Sequence, residues 1–233
     1  MKTNIIFKMA ALLLGMTMTC VTMTSCSNDD NPVDLPGDEP SVGGATVKEL
    51  SELTTAEIGW VIAADGKAYM NSAAATAAGT EALAMLGYFN EGLDGSIWGR
   101  AIQITDCPLE VSWEDAKAYI KTLPKFEGAS WFMPEVGDWE YLFRGCAIKG
   151  DATERLNNNI MKPINGFRDK MLAACPGWQN YWYWTSTEEG SSNAWIVGPA
   201  IKYTEGHDAS ALFNNESKSY EYAVRGFLYF WVK

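Results

Sequence analysis

The chain has 233 residues, of which 47% are hydrophobic, 12% aromatic and 20% charged. This composition excludes a disordered, collagen-like or coiled-coil protein, and the length is sufficient for one or two domains with a sizeable core. Lysine and arginine total 18 against 29 acidic residues, so the net charge is −11 and no nucleic-acid partner is expected. The single histidine, His207, leaves little room for histidine-based catalysis or a multi-histidine metal site.

The first 25 residues have the organisation of a secretory signal peptide. Lys2 and Lys8 are the only charges before an uncharged, largely apolar run at 9–23. That run is shorter than the roughly 20 residues that span a bilayer as a helix. A positive start, a short apolar stretch and small residues behind it predict a cleaved signal at 1–25. A buried N-terminal helix is the alternative, but the run shows no amphipathic pattern.

The residues around the predicted cleavage point resemble a bacterial lipobox. They read Met23-Thr24-Ser25-Cys26, with a small residue before the cysteine and Met where the pattern has Leu. The resemblance implies that Cys26 becomes the lipidated first residue of the mature protein. Several acyl chains make a durable anchor, since each buried methylene contributes about 0.8 kcal/mol. The alternative is ordinary cleavage nearby, with Cys26 left as a free thiol.

Residues 26–45 are rich in Asp, Pro, Gly and Ser and have almost no large apolar side chain. Such a segment cannot bury itself, so it is predicted to be a flexible acidic tether. Asp29 and Asp30, close behind the cysteine, also resemble the surface-export signal of some outer-membrane lipoproteins. One folded domain is then expected at 46–233.

The first part of that domain is predicted to be mostly strands. Two apolar runs at 60–63 and 68–70 flank Asp65-Gly66, which indicates a hairpin. A short alanine-rich helix closed by Gly79 follows at 72–79. Further strands are expected at 82–89 and 99–105.

The middle of the domain is predicted to be helical. The clearest helix is 112–123, with Ser112 as its cap and Pro124 as its stop. A second helix begins after Pro134. A third helical pattern covers 152–174 and must break or kink at Pro163.

From residue 181 the hydrophobic period changes from helical to strand-like. Strands are expected at 181–185, 194–197, 201–204, 209–213 and 220–232. Strands, then helices, then strands predict an α+β fold with an antiparallel sheet.

Four segments in a fixed order resemble a known family. They are SWEDAKAYIKTL at 112–123, GASWFMPEVGDWEYLF at 128–143, YWTSTEEGSSNAW at 183–195 and YAVRGF at 222–227. Together they are similar to the bacterial C-type-lectin-like domains found in collagen-like adhesins and secreted lipoproteins. The stretch 57–106 resembles the lead-in of a lipoprotein subgroup. The resemblance implies a C-type-lectin-like fold with two to three helices packed on antiparallel β-sheets.

The chain departs from that family in two respects. The cysteines that often link the first helix to the final strand are absent, since those neighbourhoods read Tyr119-Ile120 and Gly226-Phe227. The calcium-binding motifs of sugar-binding animal lectins are also absent; the nearest carboxylates are Glu188 and Glu189, too few for a calcium site. The resemblance therefore implies the fold, with no metal and no cofactor.

Cys107, Cys146 and Cys175 remain in the folded part, and no pair of them has metal-ligand spacing. Outside the cytoplasm this odd number permits one disulfide and one free thiol, although three plain buried thiols are expected. The segment 131–145 also resembles the formylglycine-generating-enzyme superfamily, whose members hold copper between two cysteines. That oxidase is an alternative, but the last cysteine lies well before the C-terminal part that would carry it.

An aromatic run at 181–184 suggests a binding surface. As a strand it places Trp182 and Trp184 on one face, where they are expected to fill the core, and Tyr181 and Tyr183 on the other.

Trp178 and Tyr181 lie in the turn before that strand and are predicted to form an exposed platform. Aromatic planes stack on sugar rings and anchor protein contacts. Glu188, Glu189 and Asn193 in the next loop are the candidate polar contacts, unless that loop is simply solvated.

Arg225 lies in an otherwise apolar strand, so its expected partner is a carboxylate or a backbone carbonyl inside the fold. His207 is expected in a surface turn.

The sequence as a whole predicts a non-enzymatic adhesion module of the bacterial outer membrane, facing the cell surface or the periplasm, that binds a glycan or a protein. The alternative is an accessory component of an envelope or fimbrial assembly. Membrane contact is expected through the N-terminal lipid alone.

Overall fold

The computed structural model describes residues 46–143, 160–161, 167–200 and 210–233. The predicted signal peptide, the lipid attachment at Cys26 and the tether lie outside the described residues. So do Cys146, His207, residues 152–159 of the helical pattern predicted at 152–174, and the strand predicted at 201–204. Within the described part of that pattern, Ile160–Met161 form a strand, contrary to the prediction, and Phe167–Ala174 form a helix.

The described chain is a mixed α+β fold in which few helices pack on antiparallel sheets, as the sequence predicts. The helices are α1 Ser72–Ala77, α2 Trp113–Ile120, α3 Val136–Phe143 and α4 Phe167–Ala174. The strands are β1 Val47–Glu49, β2 Val61–Ala63, β3 Lys67–Tyr69, β4 Ala82–Glu91, β5 Ile97–Gln103, β6 Ala129–Phe132, β7 Ile160–Met161, β8 Tyr183–Glu189, β9 Asn193–Ala200, β10 Ser210–Ser217 and β11 Phe227–Trp231.

Two sheets contain these strands. The larger has seven strands in the order β1-β3-β2-β4-β5-β11-β6, and the smaller has four in the order β7-β10-β9-β8. The predicted hairpin is confirmed as β2 and β3, and Gly66 at its turn has a φ of 79° that suits glycine. β6 forms one edge of the larger sheet, and of the described strands it pairs with β11 alone.

Capping decides where α2 begins, as predicted. The Ser112 hydroxyl accepts a hydrogen bond from the Asp115 amide at 3.3 Å and donates to its carboxylate at 2.8 Å. The helix ends at Ile120, three residues earlier than predicted. The amides of Thr122 and Leu123 bond three residues back, to Tyr119 and Ile120, so the last turn is tighter than an α-helix.

The core lies mainly between the two sheets. Trp139, Leu142 and Phe143 of α3 are buried against Tyr88 of the large sheet and Tyr183 of the small one. The expected facing of the aromatic run is confirmed, because Trp184 is buried and Trp182 packs beside it in a separate cluster under α2.

The predicted strand at 220–232 is wrong over its first half. Regular pairing begins only at Phe227, and Tyr222 and Ala223 form isolated bridges to Val111 and Tyr183. Just before β11 the regular ladder is replaced at Gly226, whose amide donates to the Gln103 side chain of β5 at 2.9 Å while its carbonyl accepts from the Gln103 amide at 2.8 Å. Among the described residues, no helix is long and apolar enough to cross a membrane.

Candidate functional site

Trp178 does not belong to an exposed platform, so this part of the sequence prediction is wrong. Its side chain is 0% exposed. The Cys175–Trp178 turn after α4 directs the ring inward, where the Arg225 guanidinium lies 4.1 Å from the ring centroid and Tyr183 packs at 5.7 Å. A cation over an indole face is a stabilising contact that a solvated ring would lack.

Tyr181 is exposed as predicted, with 42% of its surface accessible. Its ring packs edge-on against Tyr183 at 6.5 Å. Without Trp178, however, it is a single aromatic side chain rather than a platform.

Glu188, Glu189 and Asn193 lie at the other end of β8 from Tyr181. Glu189 stands opposite Asn193 in the β8–β9 pairing. Tyr181 and Glu188 are seven positions apart, which corresponds to about 23 Å of extended chain. The predicted site residues are therefore not brought together.

The two carboxylates already have partners. Glu188 pairs with Lys218 at 2.5 Å, and the hydrogen bond from Lys218 holds the pKa of Glu188 below its ordinary value. Glu189 accepts a hydrogen bond from the Trp195 indole at 3.1 Å. The Lys218 contact ties the β8–β9 hairpin to the residue that follows β10, and the Trp195 contact holds the two strands of the hairpin together. Both contacts are structural.

Arg225 has the internal partners that the sequence predicts. It is 1% exposed, its guanidinium contacts the Asp106 carboxylate at 2.6 and 2.7 Å, and it donates to the Gln103 carbonyl at 3.0 Å. Sequence reasoning did not identify Asp106 or Gln103, which precede Arg225 by more than a hundred residues. The Gln103 side chain extends the network by donating to the Tyr119 hydroxyl of α2 at 2.8 Å.

A cavity of about 340 Å³ lies beside this cluster and is lined by Asp106, Cys175 and Arg225 among others. Its two charged side chains are paired with each other, and the Cys175 thiol donates to the Ile104 carbonyl at 2.7 Å. The arrangement stabilises the junction between α4 and β5 and leaves no charge free for a ligand.

Cys107 and Cys175 are both free thiols. Burial raises the pKa of Cys107 above its ordinary value, which disfavours the reactive thiolate. In the described part of the chain, no group of three or more His, Cys, Asp or Glu residues could hold a metal ion.

A concave surface that combines apolar and charged side chains lies between the end of α2 and β6. We call it the α2–β6 groove; its volume is about 420 Å³, and its lining includes Ile120, Lys121, Lys125, Phe126, Ser130 and Trp131. A second depression of about 550 Å³ shares Ile120, Lys121 and Trp131 with it and continues along α2 to Lys117. Both volumes fall in the range of about 300–1,000 Å³ that is common for ligand sites.

Trp131 is the fixed part of this groove. Its indole N–H donates to the Pro124 carbonyl at 2.7 Å, and its ring packs partly against two buried clusters. An indole held in this way is ready to stack on a ligand without first losing rotamer freedom.

The groove is basic although the chain is acidic. Lys117 pairs with Glu114 at 2.9 Å, whereas Lys121 and Lys125 are exposed and form no ion pair with any described residue. The sequence signal for this site was the four-residue spacing of Lys117, Lys121 and Lys125, which puts Lys121, the residue that caps the end of α2, one turn after Lys117.

No protein-family model matches the chain, and no curated protein matches it.

Proposed function

We propose that this chain is a non-catalytic binding or adhesion module that recognises a glycan or a protein through the α2–β6 groove. The observation that carries the proposal is the fixed Trp131 ring in the same groove as Lys121 and Lys125, which form no ion pair with any described residue. Rigid aromatic rings beside cationic side chains are the common anchors of glycan and protein recognition. The Arg225 cavity is the weaker candidate, because its charged groups are paired with each other.

Contacts of two motif segments and the burial of the other two support a C-type-lectin-like arrangement within the α+β class. The Trp113 indole donates to the Thr185 carbonyl at 2.8 Å, and the Trp184 indole donates at 2.9 Å to the carbonyl of Val111, the residue just before the first segment. Trp139 and Val224, from the other two segments, are fully buried. Superposition of an experimental structure on known C-type-lectin-like domains tests this assignment.

The module is proposed to be an outer-membrane lipoprotein on the cell surface, held by Cys26 through the tether. The support is the lipobox-like Met23-Thr24-Ser25-Cys26 and the apolar run before it. Metabolic labelling with a radioactive fatty acid should mark the wild-type chain and leave Cys26→Ala unlabelled. Equal labelling of both chains would rule out this anchor.

Trp131→Ala is expected to abolish ligand binding while the domain stays folded. Alanine removes the stacking surface, and hot-spot aromatic residues contribute about 2 kcal/mol or more to binding. The measurement is binding of the full chain to a glycan array and to fractionated envelope proteins, with thermal unfolding followed in parallel.

Tyr181→Ala is the matched control, since it removes an exposed aromatic ring outside the groove. It should bind like the wild type. Loss of binding in Tyr181→Ala, with Trp131→Ala unaffected, would transfer the site to the β8 end and contradict the proposal. An empty array together with stoichiometric recovery of one envelope protein would identify the ligand as a protein, as an assembly component requires.

A further inference from the structure

Within the described chain, β6 leaves one side of its backbone unpaired. It is the last strand of the seven-stranded sheet, and among the described strands its one partner is β11, from Phe132 opposite Phe227 to Ala129 opposite Phe230. Among the described residues, no backbone hydrogen bond reaches the side of β6 that faces away from β11. Such an edge presents alternating N–H and C=O groups to whatever lies next to it.

This edge lacks most of the features that normally prevent strand addition. Proteins protect open edges with proline, with charged residues on the strand, with bulges or with short strands. β6 reads Ala-Ser-Trp-Phe, without proline or charge, and its register with β11 has no bulge. Only its length of four residues limits pairing.

The α2–β6 groove runs beside this open edge. Three of the four β6 residues, Ala129 to Trp131, line it, and the end of α2 with the following loop forms the opposite wall. A groove between a helix and an open edge strand suits a peptide, because side chains of an added strand point alternately into and out of the groove.

The charge of the wall selects the kind of peptide. Lys121 and Lys125 are exposed and without an ion-pair partner in the described chain, and Ile120 and Phe126 supply apolar surface in the same groove. Acidic side chains would pair with the lysines, and alternate apolar side chains would contact Trp131 and Phe126. A glycan would fill the groove but would leave the β6 backbone groups unpaired.

We propose that the α2–β6 groove binds an extended acidic peptide segment of a partner protein, which pairs with β6 as an additional strand of the sheet. This inference rests on the proposed function and names its ligand class. Main-chain hydrogen bonds to β6 supply affinity, and the two lysines with Trp131 supply the preference for sequence.

The test is selection of a displayed random dodecapeptide library on the full chain, with counter-selection on Lys121→Glu/Lys125→Glu. Enriched peptides should carry Asp or Glu alternating with apolar residues and lack proline at the centre. Synthetic versions should bind the double variant about tenfold or more weakly, and more weakly at high salt. Lys170→Glu/Lys233→Glu changes the net charge equally outside the groove and should bind like the wild type.

Backbone methylation separates strand addition from simple charge attraction. In a peptide that adds as a strand, every second amide faces β6 and donates to it. N-methylation of those amides should abolish binding, whereas N-methylation of the amides in between should leave binding unchanged. Equal tolerance of both sets, or no enrichment of acidic peptides, overturns the inference. If a glycan then binds in a manner that depends on Trp131, the proposed binding function stands and only the peptide inference fails. If neither a peptide nor a glycan binds, the proposed function fails as well.

Discussion

Arg225→Met is expected to lower the free energy of unfolding by about 3–5 kcal/mol, because it leaves the Asp106 carboxylate without its cation in a largely buried place. The methionine also loses the hydrogen bond to the Gln103 carbonyl and the contact over the Trp178 ring. Chemical denaturation followed by tryptophan fluorescence measures the change.

Two further variants show whether the lost pair is the cause. Arg225→Met/Asp106→Leu should recover part of the stability, since the uncompensated carboxylate is removed with its partner. Lys67→Met breaks the exposed pair with Glu49 at 3.0 Å and should cost less than about 1 kcal/mol. An Arg225→Met protein as stable as Lys67→Met would contradict the structural role assigned to this cluster.

Trp178→Ala is expected to destabilise the domain by about 3–5 kcal/mol, the usual cost of truncating a large buried aromatic residue. The void would lie beneath Arg225 and beside Tyr183, so the ion pair would lose its packing support. Denaturation of the variant measures the loss, and ligand binding measured under folding conditions should be retained.

Tyr181→Ala serves as the comparison, since it removes a neighbouring but exposed ring. Its effect on unfolding should stay within about 0.5 kcal/mol. If Trp178→Ala unfolds like the wild type but loses its ligand, the exposed-platform interpretation of the sequence is right and the burial described here is wrong.

The local elements could be predicted from the sequence because their signals are local. Ser112 with Asp115 starts α2, and the Asp65-Gly66 pair closes the first hairpin. The alternation of Trp182 and Trp184 against Tyr183 also gives the correct faces, since the period of a strand decides which side each residue takes.

Burial in irregular segments could not be predicted in this way. Trp178 and Tyr181 lie three positions apart between α4 and β8, and both are aromatic. Arg225, from near the C-terminal end of the domain, and Tyr183 cover Trp178, whereas Tyr181 stays exposed. Contacts between distant residues in irregular segments leave no periodic hydrophobic pattern in the sequence, so they cannot be predicted from it.

The groove was missed for a related reason. Trp131 lies in one of the four segments that resemble the C-type-lectin-like family, and nothing in that segment predicts that its strand lies at the edge of the sheet. Strand order depends on β11 returning to lie between β5 and β6. The lysine spacing at 117, 121 and 125 was visible, but without that strand order nothing places those charges beside an open edge.

Amide hydrogen exchange of the full chain, with and without the ligand recovered on the array or from the peptide library, tests the central claim most directly. The α2–β6 groove account predicts slower exchange in Ala129–Phe132 and in 120–126 when the ligand is bound, and no change around Glu188–Asn193. Protection confined to the β8–β9 hairpin, with β6 unchanged, would contradict it.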